Sequence, residues 1–425
     1  MGWAGDFCIS HAIAQMTRRK KLIVIGGGAS GFFCGVNAAR LHEDLEVVIL
    51  EKTTKLLSKV KVSGGGRCNV THASEEVEDM LHAYPRGMRL LKKTLYQFSP
   101  IDTIHWFEER GVTLKEEADG RMFPVSNNSK SIIDCLLGEA SKHAVKINTS
   151  MEVISIVKTV DYFLLEVEDV NKVKIEVAAD YVCIASGGYP KLSGFDWLSS
   201  IGHSISEPVP SLFTFNIPDK KLHALMGVSV KHAVVKIPFL KVVEEGPLLI
   251  THWGLSGPAV LKLSSRCARD LRKMNYEFDL HVNWLPDYHE SAVLDYLKGY
   301  KHSTKGPIGT KQGFGLVSRL WDYLLTRSTI DPTIDWGNLT HAQLVLLSKT
   351  LCSDFYQAKG KTTFKEEFVT AGGIVLQEID ANTMESKKVK GLYFAGEVMD
   401  VDGITGGYNF QHAWTSGWIV ANSIT

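Results

Sequence analysis

The chain has 425 residues, 44% of them hydrophobic and 22% charged, which suits two or three domains with substantial cores. Its 47 Lys plus Arg balance its 47 Asp plus Glu, so bulk charge offers no attraction to nucleic acid or to an anionic membrane. The expected partner is a small-molecule substrate, with no nucleic acid and no membrane; nothing in the composition bears on oligomeric state.

Seven cysteines lie far apart and none forms a C-x-x-C pair, which argues against a disulfide framework or a zinc site. Fifteen histidines show no convincing metal spacing, and no metal is expected. No apolar run is long enough to span a bilayer. Residues 1–15 lack the basic start and apolar centre of a signal peptide, and the expected location is cytoplasmic.

Taken in chain order, residues 1–19 read as an extension. Leu22-Ile23-Val24-Ile25 is a short apolar run ended by Gly26, the pattern of a buried parallel strand. Helical spacing follows from Ala29 to Leu41, and Val47-Val48-Ile49-Leu50 forms a second buried strand. Together these make a β-α-β unit. A glycine-rich loop spans 63–69. Residues 75–111 and 131–143 read as helical, and 145–158, 162–169 and 172–177 alternate as an antiparallel meander. Residues 181–185 are again a buried strand. The stretch 205–250 is β-rich, with strands at 212–215 and 233–237, and 286–357 carries helical periodicity. A strand at 391–395 and a terminal helix from about 410 to 423 restore the α/β character. The predicted fold is α/β, with domains at 20–200, 201–357 and 358–425, the first and last forming one dinucleotide-binding domain.

Gly26-Gly27-Gly28-Ala29-Ser30-Gly31 fits G-x-G-x-x-G, directly after a strand and opening a helix, with the acidic Glu51 about twenty residues on. Gly26 permits the tight turn, Gly28 lets a pyrophosphate approach the backbone, and Gly31 lets helix and strand pack closely. The free N–H groups at Ala29 and Ser30 face the phosphates. Glu51, followed by Lys52, is expected to accept hydrogen bonds from the adenosine ribose and to oppose a 2′-phosphate. The return of a strand and glycine-rich loop near the C-terminus, and the lack of a second G-x-G-x-x-G, favour FAD over a nicotinamide nucleotide at this site.

Ser63-Gly64-Gly65-Gly66-Arg67-Cys68-Asn69 suits a loop wrapping a cofactor. Arg67 is a candidate to neutralise the pyrophosphate or to guard the flavin, and Asn69 to hydrogen-bond the ring system or to hold the loop. Cys68 lies in this loop, but a packing role suits it better than redox chemistry. Ser186-Gly187-Gly188 closes a strand, either passing the adenosine side of the cofactor or serving as an ordinary β-α turn. Gly396-Glu397 ends the last strand, where Glu397 is expected to meet ribityl hydroxyls. Gly406, Gly407, Tyr408 and Asn409 lead into the terminal helix, whose N-terminus is expected to face the flavin's pyrimidine edge. His252, Arg121 and Tyr408 are the catalytic candidates: His252 as a proton donor or as the residue ordering Trp253-Gly254, Arg121 as a carboxylate clamp or a turn cap.

The chain resembles the BaiN-like NAD(P)/FAD-dependent oxidoreductases, from Lys20 to its end. The motifs that carry the likeness are Ser63 to Asn69, Gly120-Arg121-Met122-Phe123-Pro124, Thr251 to Pro258, Val369 to Gly373, and Gly396-Glu397 through Asp402 to Asn409. The resemblance implies a Rossmann-like FAD-binding domain built from both chain ends, with an inserted β-barrel and a small helical domain, and a non-covalent FAD. The segment after Gly188 is shorter than is usual in that family. The expected activity is reduction of a C=C or similar bond of a small organic substrate, with NAD(P)H as co-substrate. Two alternatives stand beside it: a flavin-dependent amine or alcohol oxidase, and a flavin redox sensor or RNA-modification partner.

Overall fold

The computed structural model describes residues 19–74, 76–311, 313–362 and 369–425. The expected N-terminal extension lies almost wholly outside them. The chain divides into one unit of residues 1–208 and 369–425 and a second of residues 209–368. The sequence reading set these divisions at 200/201 and 357/358. The second falls later because two further strands, named below, belong to the inserted unit.

The first unit is built on the strands β1 (Lys20–Ile25), β2 (Leu45–Glu51), β3 (Thr71–His72), β4 (Leu114–Glu116), β5 (Arg121–Pro124), β6 (Lys146–Thr149), β7 (Met151–Lys158), β8 (Phe163–Asp169), β9 (Lys174–Ala179), β10 (Tyr181–Ile184) and β11 (Ile205–Pro210). The inserted unit contributes β12 (Thr214–Asn216), β13 (Ser229–Ile237), β14 (Val242–Ile250), β15 (Gly254–Ser256), β16 (Glu277–Asn283), β17 (Asp354–Lys359) and β18 (Lys361–Thr362). The return supplies β19 (Thr370–Ile374) and β20 (Leu392–Phe394).

The main sheet has the order β20-β10-β1-β2-β6, all parallel. Leu22, Ile23 and Val24 of β1 and Val182, Cys183 and Ile184 of β10 are fully buried. That is why these runs show no polar alternation: parallel strands are covered on both faces. Strand order reverses between β1 and β10, and the crevice at such a switch point is where α/β sheets bind ligands. The helix Ala29–Leu41 follows β1. The helix Tyr408–Ser423 packs along it, close enough that a Cβ on Gly417 would stand 2.8 Å from the Ser30 carbonyl oxygen.

One local expectation is corrected and another gains detail. Residues 145–158 are not one strand of a meander: β6 adds to the parallel sheet, pairing Val48 with Lys146, and only β7, β8 and β9 form the meander. The region 75–111 is helical as expected, in three short helices, Val77–Leu81, Met88–Thr94 and Pro100–Glu108. Gly87, in the left-handed region, and Ser99-Pro100, a capping box with proline in the first turn, interrupt it.

In the inserted unit seven antiparallel strands run in the order β17-β16-β13-β14-β15-β12-β18. The two end strands are consecutive in the chain, joined only by Gly360. Gly360 donates its N–H to the Tyr276 carbonyl on one side and accepts from the Asn216 N–H on the other (2.8 and 3.1 Å). The sheet therefore closes on itself through this residue, as a barrel must. Helices Glu290–Ser303, Ser318–Arg327 and His341–Ser353 belong to the same unit and share a core that includes Trp284, Trp321 and Trp336. Residues 354–357, read as the end of a helical stretch, instead belong to β17.

Candidate functional site

The first unit gathers most of the predicted cofactor residues at the C-terminal ends of its parallel strands. The Gly26 N–H donates to the Leu50 carbonyl (2.8 Å). A Cβ on Gly31 would stand 1.9 Å from the Gly26 carbonyl oxygen, so only glycine lets the helix sit this close. A Cβ on Gly28 would meet nothing within 4 Å. That side of the turn is open, and no side chain caps the helix that starts at Ala29. Its first N–H groups, Ala29 and Ser30 included, are the ready anion donors of a helix N-terminus.

Glu51 is already engaged by backbone. One carboxylate oxygen accepts from the Gly27 N–H (2.8 Å) and the other from the Thr53 N–H and hydroxyl (both 2.8 Å). It thus fixes the fingerprint turn, and its remaining lone pairs are what a ribose would meet. Lys52 pairs with Glu152 at 2.5 Å, outside this turn.

The loop 63–69 follows a short helical stretch. Gly64, Gly65, Gly66 and then Cys68 all take positive φ, so the chain reverses sharply there. Ser63 closes the turn by accepting the Cys68 N–H at its carbonyl (3.0 Å). Cys68 is fully buried, and burial pushes its thiol up to about 12, so it packs as a small apolar group. Arg67 lies 3.9 Å over the Phe123 ring and pairs with Glu117 (2.5 Å). Arg121 reaches the other Glu117 oxygen (3.1 Å) and Asp119 (2.8 Å). Arg67 and Arg121 are therefore held by one carboxylate, which the sequence reading did not single out.

On the opposite side of the switch point, Ser186 lies beside Gly26, and a Cβ on Gly188 would stand 3.0 Å from a Glu397 oxygen and 2.7 Å from the Thr370 Cβ. Glu397 accepts from the Thr370 N–H (2.9 Å) and pairs with Lys59. Gly396 donates to the Ser416 hydroxyl (2.9 Å), and its carbonyl accepts from His412 Nε2 (3.3 Å). Burial pushes the His412 pKa down to about 4, so the ring is neutral with a bare lone pair at Nδ1. The side-chain atoms Ser186 Oγ, Thr370 Oγ1 and His412 Nδ1 are buried without a hydrogen-bond partner. Buried polar atoms are rarely left so, and here they flank Gly26 and Gly396-Glu397.

The terminal helix begins at Gly407, which has φ of 95°. Asn69 holds this turn. With its amide set to satisfy both partners, its oxygen accepts from the Gly407 N–H (3.0 Å) and its nitrogen donates to the Thr71 carbonyl (2.9 Å). Asn409 clasps Gly403 by accepting from its N–H and donating to its carbonyl (2.8 and 2.9 Å). Burial pushes the Tyr408 phenol up to about 12, aided by Asp119, and its carbonyl accepts from Tyr84. His72 stacks on Tyr408 with ring centres 4.8 Å apart. Behind the helix, Gln411 accepts from Thr71 (2.6 Å) and Thr103 (2.9 Å) and donates to Thr415 (3.0 Å), fixing it in place.

His252 belongs to the inserted unit, where it is exposed in the turn between β14 and β15, edge-on to Trp253 at 4.1 Å. Missed by the sequence reading were Thr370, His412, Glu117 and His72 as site-lining groups. Thr370 lies in the Val369–Gly373 motif of the family resemblance, where no role was assigned to it; the others sit in no motif and meet only through the fold.

The arrangement fits FAD. An open glycine turn, a free helix N-terminus, and orphaned hydroxyl and imidazole atoms beside Glu397 match, in turn, a diphosphate and a polyhydroxylated chain. Arg121, Tyr408 and His72 lie together beside the start of the terminal helix.

The match to known proteins decides the family. Residues 20–423 match the family described as HI0933-like protein Rossmann domain. The chain belongs to that family. The resemblance read from the motifs is borne out, as is the fold class, an α/β protein with a Rossmann-type FAD-binding domain, and the chain is an oxidoreductase of the flavoprotein class. This family member is 31% identical to the ribosomal RNA dihydrouridine synthase of Escherichia coli (strain K12) over 415 residues, covering 95% of this chain and 97% of that one. It is 29% identical to the 3-dehydro-bile acid delta(4,6)-reductase of Clostridium scindens over 411 residues, covering 94% and 98%. Its fold matches 3-ketosteroid delta1-dehydrogenase from Sterolibacterium denitrificans with a TM-score of 0.52 at 12% identity, over 96% and 99% of the two chains. No helix among the described residues is long and apolar enough to cross a membrane.

Proposed function

We propose that this protein is an FAD-dependent reductase of a carbon–carbon double bond conjugated to a carbonyl, with NAD(P)H as the donor. The observation that carries this reading is the chemistry common to the two relatives. A delta(4,6)-reductase of a 3-oxo steroid and a synthase that makes dihydrouridine from uridine both saturate an alkene polarised by a neighbouring carbonyl. Such a bond takes hydride at its β-carbon and a proton at its α-carbon. Bound FAD supplies hydride transfer at N5.

The chain's own residues would do the rest. The Gly26–Gly31 turn and the helix behind it hold the diphosphate, while Glu397, Thr370 and His412 meet the polyol chain. The N-terminus of the Tyr408–Ser423 helix favours negative charge at the ring end. Tyr408, kept protonated by burial, and Arg121 are donors at that end.

A small organic enone is the first substrate class, in line with the C=C reduction that the family resemblance implies. A uracil base of RNA is the second reading, supported by 31% identity to the rRNA dihydrouridine synthase along nearly the whole of both chains. Anaerobic stopped-flow tests the reaction. Bleaching of the flavin by NADH or NADPH is expected, then recolouring on addition of an enone steroid or a uridine-containing rRNA fragment, with two hydrogens gained by the product. Bleaching only by an amine or alcohol would establish the oxidase instead.

A further inference from the structure

We propose that His72 takes up a proton when a flavin held at the start of the Tyr408–Ser423 helix is reduced, and so sets the pH dependence of its potential. This rests on the FAD reading above.

The geometry is specific. β3 has two residues, whose side chains leave on opposite faces: Thr71 bonds the buried Gln411, and His72 lies across from Arg121 of β5. The imidazole is clamped. Its ring lies nearly parallel to Tyr408, at 26° and 4.8 Å. On another side, a Cβ on Gly120 would stand 2.6 Å from Nε2. The ring is thus held in one orientation at the turn that starts the helix, while its Nδ1 is buried and has no partner. A histidine fixed for packing alone leaves no ring nitrogen in that state without cost.

The neighbours leave His72 as the group able to change charge near neutrality. Burial lowers its pKa, while the Gly406 carbonyl, Asp119 and Glu116 raise it and Arg121 lowers it; burial prevails, and the ring is neutral at pH 7. Asp119 is exposed; the little burial it has would raise its carboxyl, but Arg121 holds it below its ordinary value. Glu117 lies between Arg67 and Arg121. Tyr408 and the buried Tyr84 are both pushed up and stay neutral. Two-electron reduction of a flavin puts a proton on N5 and leaves negative charge along its pyrimidine edge. A negative charge at the turn would favour the imidazolium, so one further proton enters from solvent and binds the imidazole.

The test is spectroelectrochemistry of the FAD-loaded full-length protein at steps from about pH 5 to about pH 8, the range over which imidazole titrates. The expected result is a segment in which the midpoint potential falls more steeply with pH, by one extra proton per two electrons. His72→Gln and His72→Asn, measured at saturating FAD, should lose that segment. Equal slopes in wild type and in a variant that still binds FAD overturn the proposal. If both variants fail to fold, the oxidised wild-type spectrum decides: an absorbance change titrating below pH 6.5 is expected, and a flat spectrum overturns it. A wild-type chain that binds no FAD overturns this proposal and the proposed function together, whereas bound FAD with unchanged slopes overturns this proposal alone.

Discussion

At the scale of single residues, Gly28 and Gly31 make opposite demands on the fingerprint turn. A methyl group on Gly31 would collide with the Gly26 carbonyl oxygen, whereas one on Gly28 would enter open space. Gly31→Ala should therefore destabilise the protein by about 1–3 kcal/mol and abolish FAD binding. Gly28→Ala should leave the melting temperature unchanged and weaken FAD binding at least tenfold, about 1.4 kcal/mol. Calorimetry of the cofactor-free proteins and fluorescence titration with FAD separate the two. Cys68 makes a third residue-level case. With its thiol buried and pushed up to about 12, it should resist aromatic disulfide reagents at pH 8 until the protein is unfolded. Labelling of Cys68 in the native protein, read by peptide mass mapping, would show that it is accessible after all.

Ionisable pairs at this scale also set an acid limit. Burial would raise the Glu378 carboxyl, but Lys388 and Ser204 hold it at about 2, against 4.5 when free. Its stabilisation is complete above pH 4.5 and is lost as pH falls towards 2. His203, which contacts Glu378 at 3.1 Å, has its pKa lowered by burial. The unfolded chain takes that proton first, and stability begins to fall below pH 6.5. Denaturant midpoints measured at pH 7, 5.5 and 4 should fall in that order, and Glu378→Gln should flatten the acid limb.

At the scale of elements, the segments flanking the terminal helix are pinned by buried polar contacts rather than by apolar packing alone. Arg86 and Asp402 form a two-pronged ion pair, with the Asp402 side chain fully buried and Arg86 nearly so. Removing one partner leaves a buried charge uncompensated, so Asp402→Ala should cost about 3–5 kcal/mol. A loss below 1 kcal/mol in urea unfolding would contradict the burial described here. These contacts also mark what the sequence made legible. The β1–helix–β2 unit was readable because Gly26, Gly28, Gly31 and Glu51 sit at fixed spacings imposed by backbone geometry. β6 was misread because a four-residue strand at the sheet edge, with Lys146 and Thr149 exposed, shows the same alternation whether it pairs parallel or antiparallel. His412 and Thr370 were missed because they act through Gly396 and Glu397, 16 and 27 residues away, and His72 because its stacking partner is Tyr408 at the far end of the chain; no local pattern records these contacts.

At the scale of the whole molecule, the cradle residues all come from residues 20–208 and 369–425, while the inserted unit closes its own sheet and has its own core. β11 and β19 pair where the chain leaves the first unit and returns, and a Cβ on Gly372 would stand 2.8 Å from the Pro208 Cα. The two ends of the insertion are thus near neighbours, as tolerated insertions require. The first unit, with 211–366 replaced by a short glycine-serine linker, should still fold and bind FAD with affinity reduced by less than about tenfold.

The most direct measurement is titration of the purified full-length protein with FAD, followed by visible absorbance and by release of the flavin on denaturation. One FAD per chain, bound without a covalent bond and weakened by Gly28→Ala, is the expected result. A wild-type protein that takes up no FAD at micromolar concentration, or takes it up equally well with Gly28→Ala and Gly31→Ala, would contradict the placement of the cofactor on this turn.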